Sequence, residues 1–157
     1  MLPLGHIALR SVEHGVGDRW TRFTRDEQVS MMTLWCIARS PLMVGGELRD
    51  NDEWTLSLLT NRDVLRLLNH SHANRQLYRY GPHIGWTAED DDRGLYLAVF
   101  NTATTPVRIE TPFRKLGLQG KVHARDLWQQ TALDDQEDSI VALVPPHGAR
   151  LFRLTLR

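Results

Sequence analysis

The run Ser40-Pro-Leu-Met-Val-Gly-Gly-Glu-Leu-Arg49 holds a short apolar stretch, Pro41 to Gly45, with no polar alternation. That pattern predicts a strand buried on both faces, of the parallel type. Gly45 and Gly46 end it, and a glycine pair lets the backbone turn sharply. A parallel strand cannot hydrogen-bond to itself, so its neighbours must come from elsewhere.

Upstream, Thr24-Arg-Asp-Glu27 fits a capping box. The Thr24 hydroxyl accepts from the Glu27 N–H, and the Glu27 carboxylate accepts from the Thr24 N–H. Phe23 stands in the staple position. A helix is predicted from here through Ala38, ending near Arg39-Ser40 because Pro41 disfavours continuation. Val29, Met31, Met32, Leu34, Trp35, Cys36, Ile37 and Ala38 spread wider than one stripe, so this helix needs cover on most sides. Residues 2–23 carry Pro3, Gly5, Gly15 and Gly17 without a clear period and read as a loop, with a short helix as an option. Downstream, Asn51 or Asp52 caps a helix through Leu59. Asn61 caps another through about Leu68, with Val64, Leu65 and Leu68 as its apolar face. One strand among these helices lacks a partner, so this part needs neighbours the chain does not supply.

The character changes near His70. Strand signals recur at Gln76–Tyr80, Ile84–Thr87, Leu95–Asn101, Val107–Thr111, Lys121–Leu127, Ser139–Val144 and Ala149–Leu156, with turn clusters between them. Short strands at this spacing predict an antiparallel β-sandwich. The boundary falls at about residues 70–74, giving segments 1–72 and 73–157.

Composition excludes several classes. Lys+Arg and Asp+Glu both total 19, a net charge of zero that argues against nucleic-acid binding driven by bulk charge and against adhesion to an anionic membrane. No stretch is apolar for long enough to span a bilayer, and Met1–His6 lacks the basic region and apolar run of a signal peptide. With 157 residues the chain falls short of the roughly 250 of a whole (β/α)8 barrel. A single cysteine, Cys36, allows no intrachain disulfide.

Candidate chemistry is sparse. Asp90-Asp91-Asp92 lacks the ligand spacing of a calcium loop and reads as a solvated hairpin tip. The histidines, His70 and His72 included, fall in no zinc spacing, so no metal is expected. Cys36, mid-helix in an apolar run, reads as packing. Gly45-Gly46 lacks the flanks of a phosphate loop. Asp50, Asp52 and Glu53 follow the predicted strand, where barrel catalysts sit, but Asp52 and Glu53 also suit a helix N-terminus. Asp126 beside Trp128 reads as a structural pair. Tyr78, Tyr80 and Trp86 could form a sugar-stacking face, although buried strand aromatics are commoner.

The order of these features carries a resemblance. Met1-Leu-Pro-Leu-Gly5, the helix 24–40 with Leu34-Trp35, the run Ser40–Arg49 and Leu58-Leu-Thr-Asn-Arg-Asp-Val64 resemble the final part of the catalytic barrel of α-galactosidases in glycoside hydrolase family 27, with kin in family 36. The family pattern is Asp-Met-Leu, a helix with Leu-Trp, a small residue with Pro-Leu ahead of Asp/Glu-Leu-Arg, then Leu-Leu-x-Asn. Asp126-Leu-Trp128 and Pro146-His-Gly-Ala-Arg-Leu-Phe152 resemble motifs of the family's C-terminal domain.

The resemblance implies an α+β chain: residues 1–72 a C-terminal fragment of a TIM (β/α)8 barrel (loop, helix, last strand, helices), and residues 73–157 an antiparallel β-sandwich. It implies a retaining α-glycosidase acting on terminal α-galactosides or similar sugars, with one aspartate as nucleophile and one as acid/base. Both aspartates lie on earlier barrel strands in the family, so no catalytic residue is assigned here and the chain alone is expected to be inactive. Met1 matches the methionine of the pocket's Asp-Met pair. Gly45 and Gly46 match the strand end at the pocket rim, so these three are the substrate-binding candidates. Carbohydrate is the implied partner, with no cofactor. The alternative is a non-catalytic carbohydrate-binding or interaction module centred on the sandwich.

Overall fold

A computed structural model of the chain describes residues 1–8 and 17–157. Three helices begin where side chains can satisfy their first N–H groups. Helix α1, Arg25–Ile37, starts with the full capping box: Glu27 Oε2 accepts from the Thr24 N–H at 2.8 Å and Thr24 Oγ1 from the Glu27 N–H at 3.3 Å. It ends before Arg39, whose φ of +53° turns the chain out of the helix. Helix α2, Glu53–Leu59, is capped by Asp52, which accepts from the Thr55 N–H at 2.8 Å. Helix α3, Arg62–Asn69, is capped by Asn61. Val64 and Leu67 are its buried residues, whereas Leu65 and Leu68 are half-buried, so the apolar face is rotated from the predicted one.

Apart from one 3-10 turn at Phe113–Leu116, the other regular elements among the described residues are strands. Strands β3 (Ser71–Tyr80), β4 (His83–Asp90), β5 (Leu95–Asn101), β10 (Ala149–Leu156), β7 (Val122–Asp126) and β8 (Thr131–Ala132) form a six-stranded antiparallel sheet in that spatial order. Strands β6 (Val107–Pro112) and β9 (Ser139–Val144) form a second, two-stranded sheet. Alternation sends one face of the large sheet to the helices and the other to the β6–β9 pair. Tyr96, Ala98, Phe100 and Leu151 join Met32, Cys36, Ile37 and Leu67 in one core. Leu97, Val99, Phe152 and Leu154 join Ile109, Ile140 and Val144 in the other. Strand β5 is apolar on both faces because both are covered.

Polar ties fasten the helices to the sheet. Trp128 Nε1 donates to Thr33 Oγ1 at 2.8 Å, Asn74 Nδ2 to the Ile37 carbonyl at 2.8 Å, and Arg39 Nη1 to the Ser71 carbonyl at 2.7 Å.

Three expectations need correction. Pro41–Gly45 is not a buried strand: it makes one isolated parallel bridge, Val44 to Leu2, and Leu42 is only half-buried. The parallel sense is as predicted, but among the described residues the pairing stops at this single bridge. Second, residues 2–23 are not only loop. Strand β1, His6–Ala8, pairs antiparallel with β2, Arg19–Trp20. The optional helix there, where it would cross residues 9–16 with Gly15, lies outside the described residues. Third, strand β4 runs through Asp90, and the Asp90 side chain is fully buried rather than solvated. Only Asp91 and Asp92 occupy the exposed tip.

Candidate functional site

Met1, Gly45 and Gly46 meet at one edge of the helical part. The Leu2 N–H donates to the Met43 carbonyl at 2.6 Å, and the Gly45 N–H donates to the Leu2 carbonyl at 2.8 Å. This ladder fixes Met1 beside Gly45: a Cβ placed on Gly45 would lie 3.3 Å from Met1 Cβ and 3.2 Å from the Leu2 carbonyl oxygen. At Gly46 an added Cβ would run into the Leu4 carbonyl oxygen and lie 3.2 Å from that of His6. No side chain fits there, so Gly46 is a close-approach glycine. Leu2 and Leu4 are fully buried beneath, while Met1 stands 80% exposed.

Beside this edge lies a cluster that sequence reading did not assemble. His6 is buried and stacks on Trp20, with ring centroids 4.8 Å apart and planes 8° off parallel. Its Nδ1 lies 2.6 Å from Asp50 Oδ2, and its Nε2 contacts Asp18. The Asp50 hydrogen bond holds the imidazole pKa above its ordinary value, against burial, with Asp18 acting in the same direction. The Glu47 N–H donates to the His6 carbonyl at 2.8 Å. Bonding from Arg49 lowers the Glu47 carboxyl to about 2. His6, Asp18 and Asp50 are scattered over 45 residues with no motif spacing; the β1–β2 pairing brings Asp18 to His6, and the bond from the Glu47 N–H to the His6 carbonyl brings the Asp50 segment beside it.

The cluster sets a carboxylate against each imidazole nitrogen, an arrangement that favours the protonated ring. Asp52 is spent as the α2 cap. Asp126 Oδ1 accepts from the N–H groups of Trp128 and Gln129 at 2.9 Å, which shapes the turn after β7. The 13 residues of α1 bury Cys36, whose thiol burial raises to about 12, consistent with packing. His72 pairs with Glu89 and Asp91 at 3.3 Å on the surface.

Tyr78, Tyr80 and Trp86 do not form one face. Tyr78 stacks on Tyr80 at 5.2 Å and its hydroxyl shares a 2.8 Å hydrogen bond with Thr111 of the second sheet. Trp86 lies on the opposite, helix-covered side, packed against the core of the helix layer. There it lines an open groove of about 400 Å³ with Met31, Leu34, Ile84 and Phe100.

The model of the family described as alpha galactosidase C-terminal beta sandwich domain matches residues 80–154. The probable alpha-galactosidase of Dictyostelium discoideum is 31% identical over 137 residues, 82% of this chain and 36% of that protein. The β-L-arabinopyranosidase of Geobacillus stearothermophilus, a family 27 enzyme solved with arabinose, is 46% identical, with a TM-score of 0.93 over 99% of this chain and 36% of that one. A structure described as a putative alpha-N-acetylgalactosaminidase from Bacillus halodurans is 42% identical, with a TM-score of 0.94 over 99% of this chain and 38% of that one. The chain spans about a third of the length of the curated relatives it matches.

Proposed function

We propose, from the premise that this chain belongs to glycoside hydrolase family 27 as the C-terminal part of an α-galactosidase-like enzyme, that it serves a retaining glycosidase whose two catalytic aspartates lie on barrel strands outside these residues. Residues 1–72 are then the end of the (β/α)8 barrel and residues 73–157 the sandwich that braces it. The parallel bridge between Leu2 and Val44 carries this reading. Two adjacent parallel segments with a helix between them are what consecutive βα units of a barrel leave. The open side of that bridge supports it too. Met1, Met43 and Leu48 are 80%, 60% and 65% exposed, a set of large apolar side chains that further barrel strands would cover.

In this reading the Met1 side chain and the Gly45–Gly46 backbone line the sugar pocket's rim, and Gly46 lets the rim approach the chain at Leu4. The His6–Asp18–Asp50 cluster positions that rim and takes no part in bond cleavage. The substrate class is narrowed by the relatives. The names α-galactosidase, α-N-acetylgalactosaminidase and β-L-arabinopyranosidase describe sugars that share one pyranose ring configuration and differ at the substituents on C2 and C5. The full enzyme therefore acts on a terminal galacto-configured pyranoside.

The test is to assay the isolated chain and an in-frame product extended upstream on chromogenic α-D-galactopyranoside, α-N-acetylgalactosaminide and β-L-arabinopyranoside. The isolated chain should be inactive, and the extended product should cleave at least one of the three. Turnover by the isolated chain would refute the proposal, as would an upstream region encoding no barrel strands.

A further inference from the structure

Tyr96, Arg153 and Arg125 stand in one lateral row across the six-stranded sheet. Arg153 pairs in register with Tyr96 on one side and with Arg125 on the other. Like charges directly opposite on adjacent strands repel unless something lies between them. Each arginine meets one carboxylate through Nε: Arg153 bonds Asp90 at 2.5 Å and Arg125 bonds Asp63 at 3.2 Å. Among the described residues, the terminal nitrogens of both guanidinium groups donate no hydrogen bond.

These two arginines, with Tyr96, Asp63, Arg66 and Asp92, line a cavity of about 300 Å³ beside α3. Tyr96 is fully buried, and its hydroxyl, which faces the Arg66 guanidinium, meets no partner within 3.5 Å among the described residues. A buried hydroxyl without a partner is uncommon and points to a missing one. The neighbouring carboxylates are already engaged. Asp90 serves Arg66 as well as Arg153, and Asp92 is held by Arg66 at 2.5 Å.

We propose that this cavity binds a small oxyanion, gripped between the free ends of Arg125 and Arg153 with the Tyr96 hydroxyl as a further donor. A guanidinium presents a planar fork of donors that matches carboxylate, phosphate or sulfate oxygens. An anion between the two forks also removes the cross-strand repulsion. Asp63 and Asp92 at the margin restrict the guest to a single compact anionic group, because a polyanion would meet their charge. The site shares no residue with the Met1–Gly46 edge.

The test is calorimetric titration of the full chain with inorganic phosphate, sulfate and acetate at constant ionic strength, with chloride as the control. Saturable binding of at least one oxyanion, absent with chloride, is expected. Phosphate or sulfate binding alone marks a tetrahedral guest, and acetate binding a carboxylate. Arg125→Gln removes one fork at a part-exposed position and should weaken binding at least tenfold. Tyr96→Phe removes only the orphan hydroxyl and should weaken it several-fold with an unchanged far-ultraviolet spectrum. Heats no different from chloride, or affinity unchanged in a folded Tyr96→Phe or Arg125→Gln variant, would overturn the proposal.

Discussion

Asn61 Nδ2 donates to the Leu127 carbonyl at 2.9 Å while its Oδ1 accepts from the Asp63 and Val64 N–H groups at 3.1 and 3.2 Å. One buried amide thus caps α3 and ties the helix layer to the sheet. Asn61→Ala removes a cap, about 1 kcal/mol, and leaves a buried carbonyl unpaired, a further ~1–3 kcal/mol. Asn61→Ser keeps an acceptor for the cap but cannot reach Leu127, so it should cost clearly less than alanine. Urea unfolding of the pair checks this, and equal losses would show that the cap contributes nothing.

Asp90 is the second fastening. Burial raises its carboxyl pKa, but the Arg153 hydrogen bond, the Asp92 N–H and the charges of Arg153 and Arg66 outweigh burial and hold it below the ordinary carboxylate value. A depressed folded pKa contributes stability above the unfolded value that is lost as pH falls through the folded one. Acid unfolding below about pH 4 should therefore be shallower in Asp90→Asn. At pH 7 that variant should lose on the order of 2–3 kcal/mol, below the full cost of breaking a buried pair because both arginines are part-exposed.

His6 titrates in the opposite sense. Its folded pKa is held above the ordinary imidazole value of 6.5 by the Asp50 hydrogen bond and, against burial, by Asp18. A raised pKa contributes stability that is complete below the unfolded value and disappears as pH climbs through the folded one. The melting temperature should fall as pH rises from about 6.5 into the alkaline range, and His6→Gln should flatten that fall. A wild-type melting temperature constant over this range would count against a charged His6.

Legibility in the sequence followed the range of the interactions. Thr24–Glu27, Asp52 and Asn61 were readable as caps because each acts on an N–H two or three residues away. Strands Leu95–Asn101, Ser139–Val144 and Ala149–Leu156 were readable because turn clusters bound them closely. The short pairings β1–β2 and β8 carry no pattern, since two or three residues show no period. Asp90 looked like part of a solvated acidic tip because its partners, Arg66 and Arg153, are 24 and 63 residues away. The same distance hid the His6 cluster and the row of Tyr96, Arg153 and Arg125. Met1, Gly45 and Gly46 were named through family resemblance alone, and the chain brings them together at one edge through Leu2.

The two glycines beside Met1 should respond differently to the same methyl group. An alanine Cβ at Gly45 would lie 3.2 Å from the Leu2 carbonyl oxygen and 3.3 Å from Met1 Cβ, tight contacts that a shift of a few tenths of an ångström relieves. At Gly46 the obstacle is the Leu4 carbonyl oxygen, part of a backbone held by the fully buried Leu2 and Leu4. Gly46→Ala should therefore cost about 1–3 kcal/mol, the usual range for overpacking, and Gly45→Ala well under that. Amide hydrogen exchange locates the damage. In Gly46→Ala the Gly45 and Glu47 N–H groups, which donate to the Leu2 and His6 carbonyls, should lose protection, while those of β5 and β10 keep theirs. Equal costs for the two alanines would mean that the Leu4 segment yields freely, and that Gly46 is not what sets the approach of its segment to the chain beneath it.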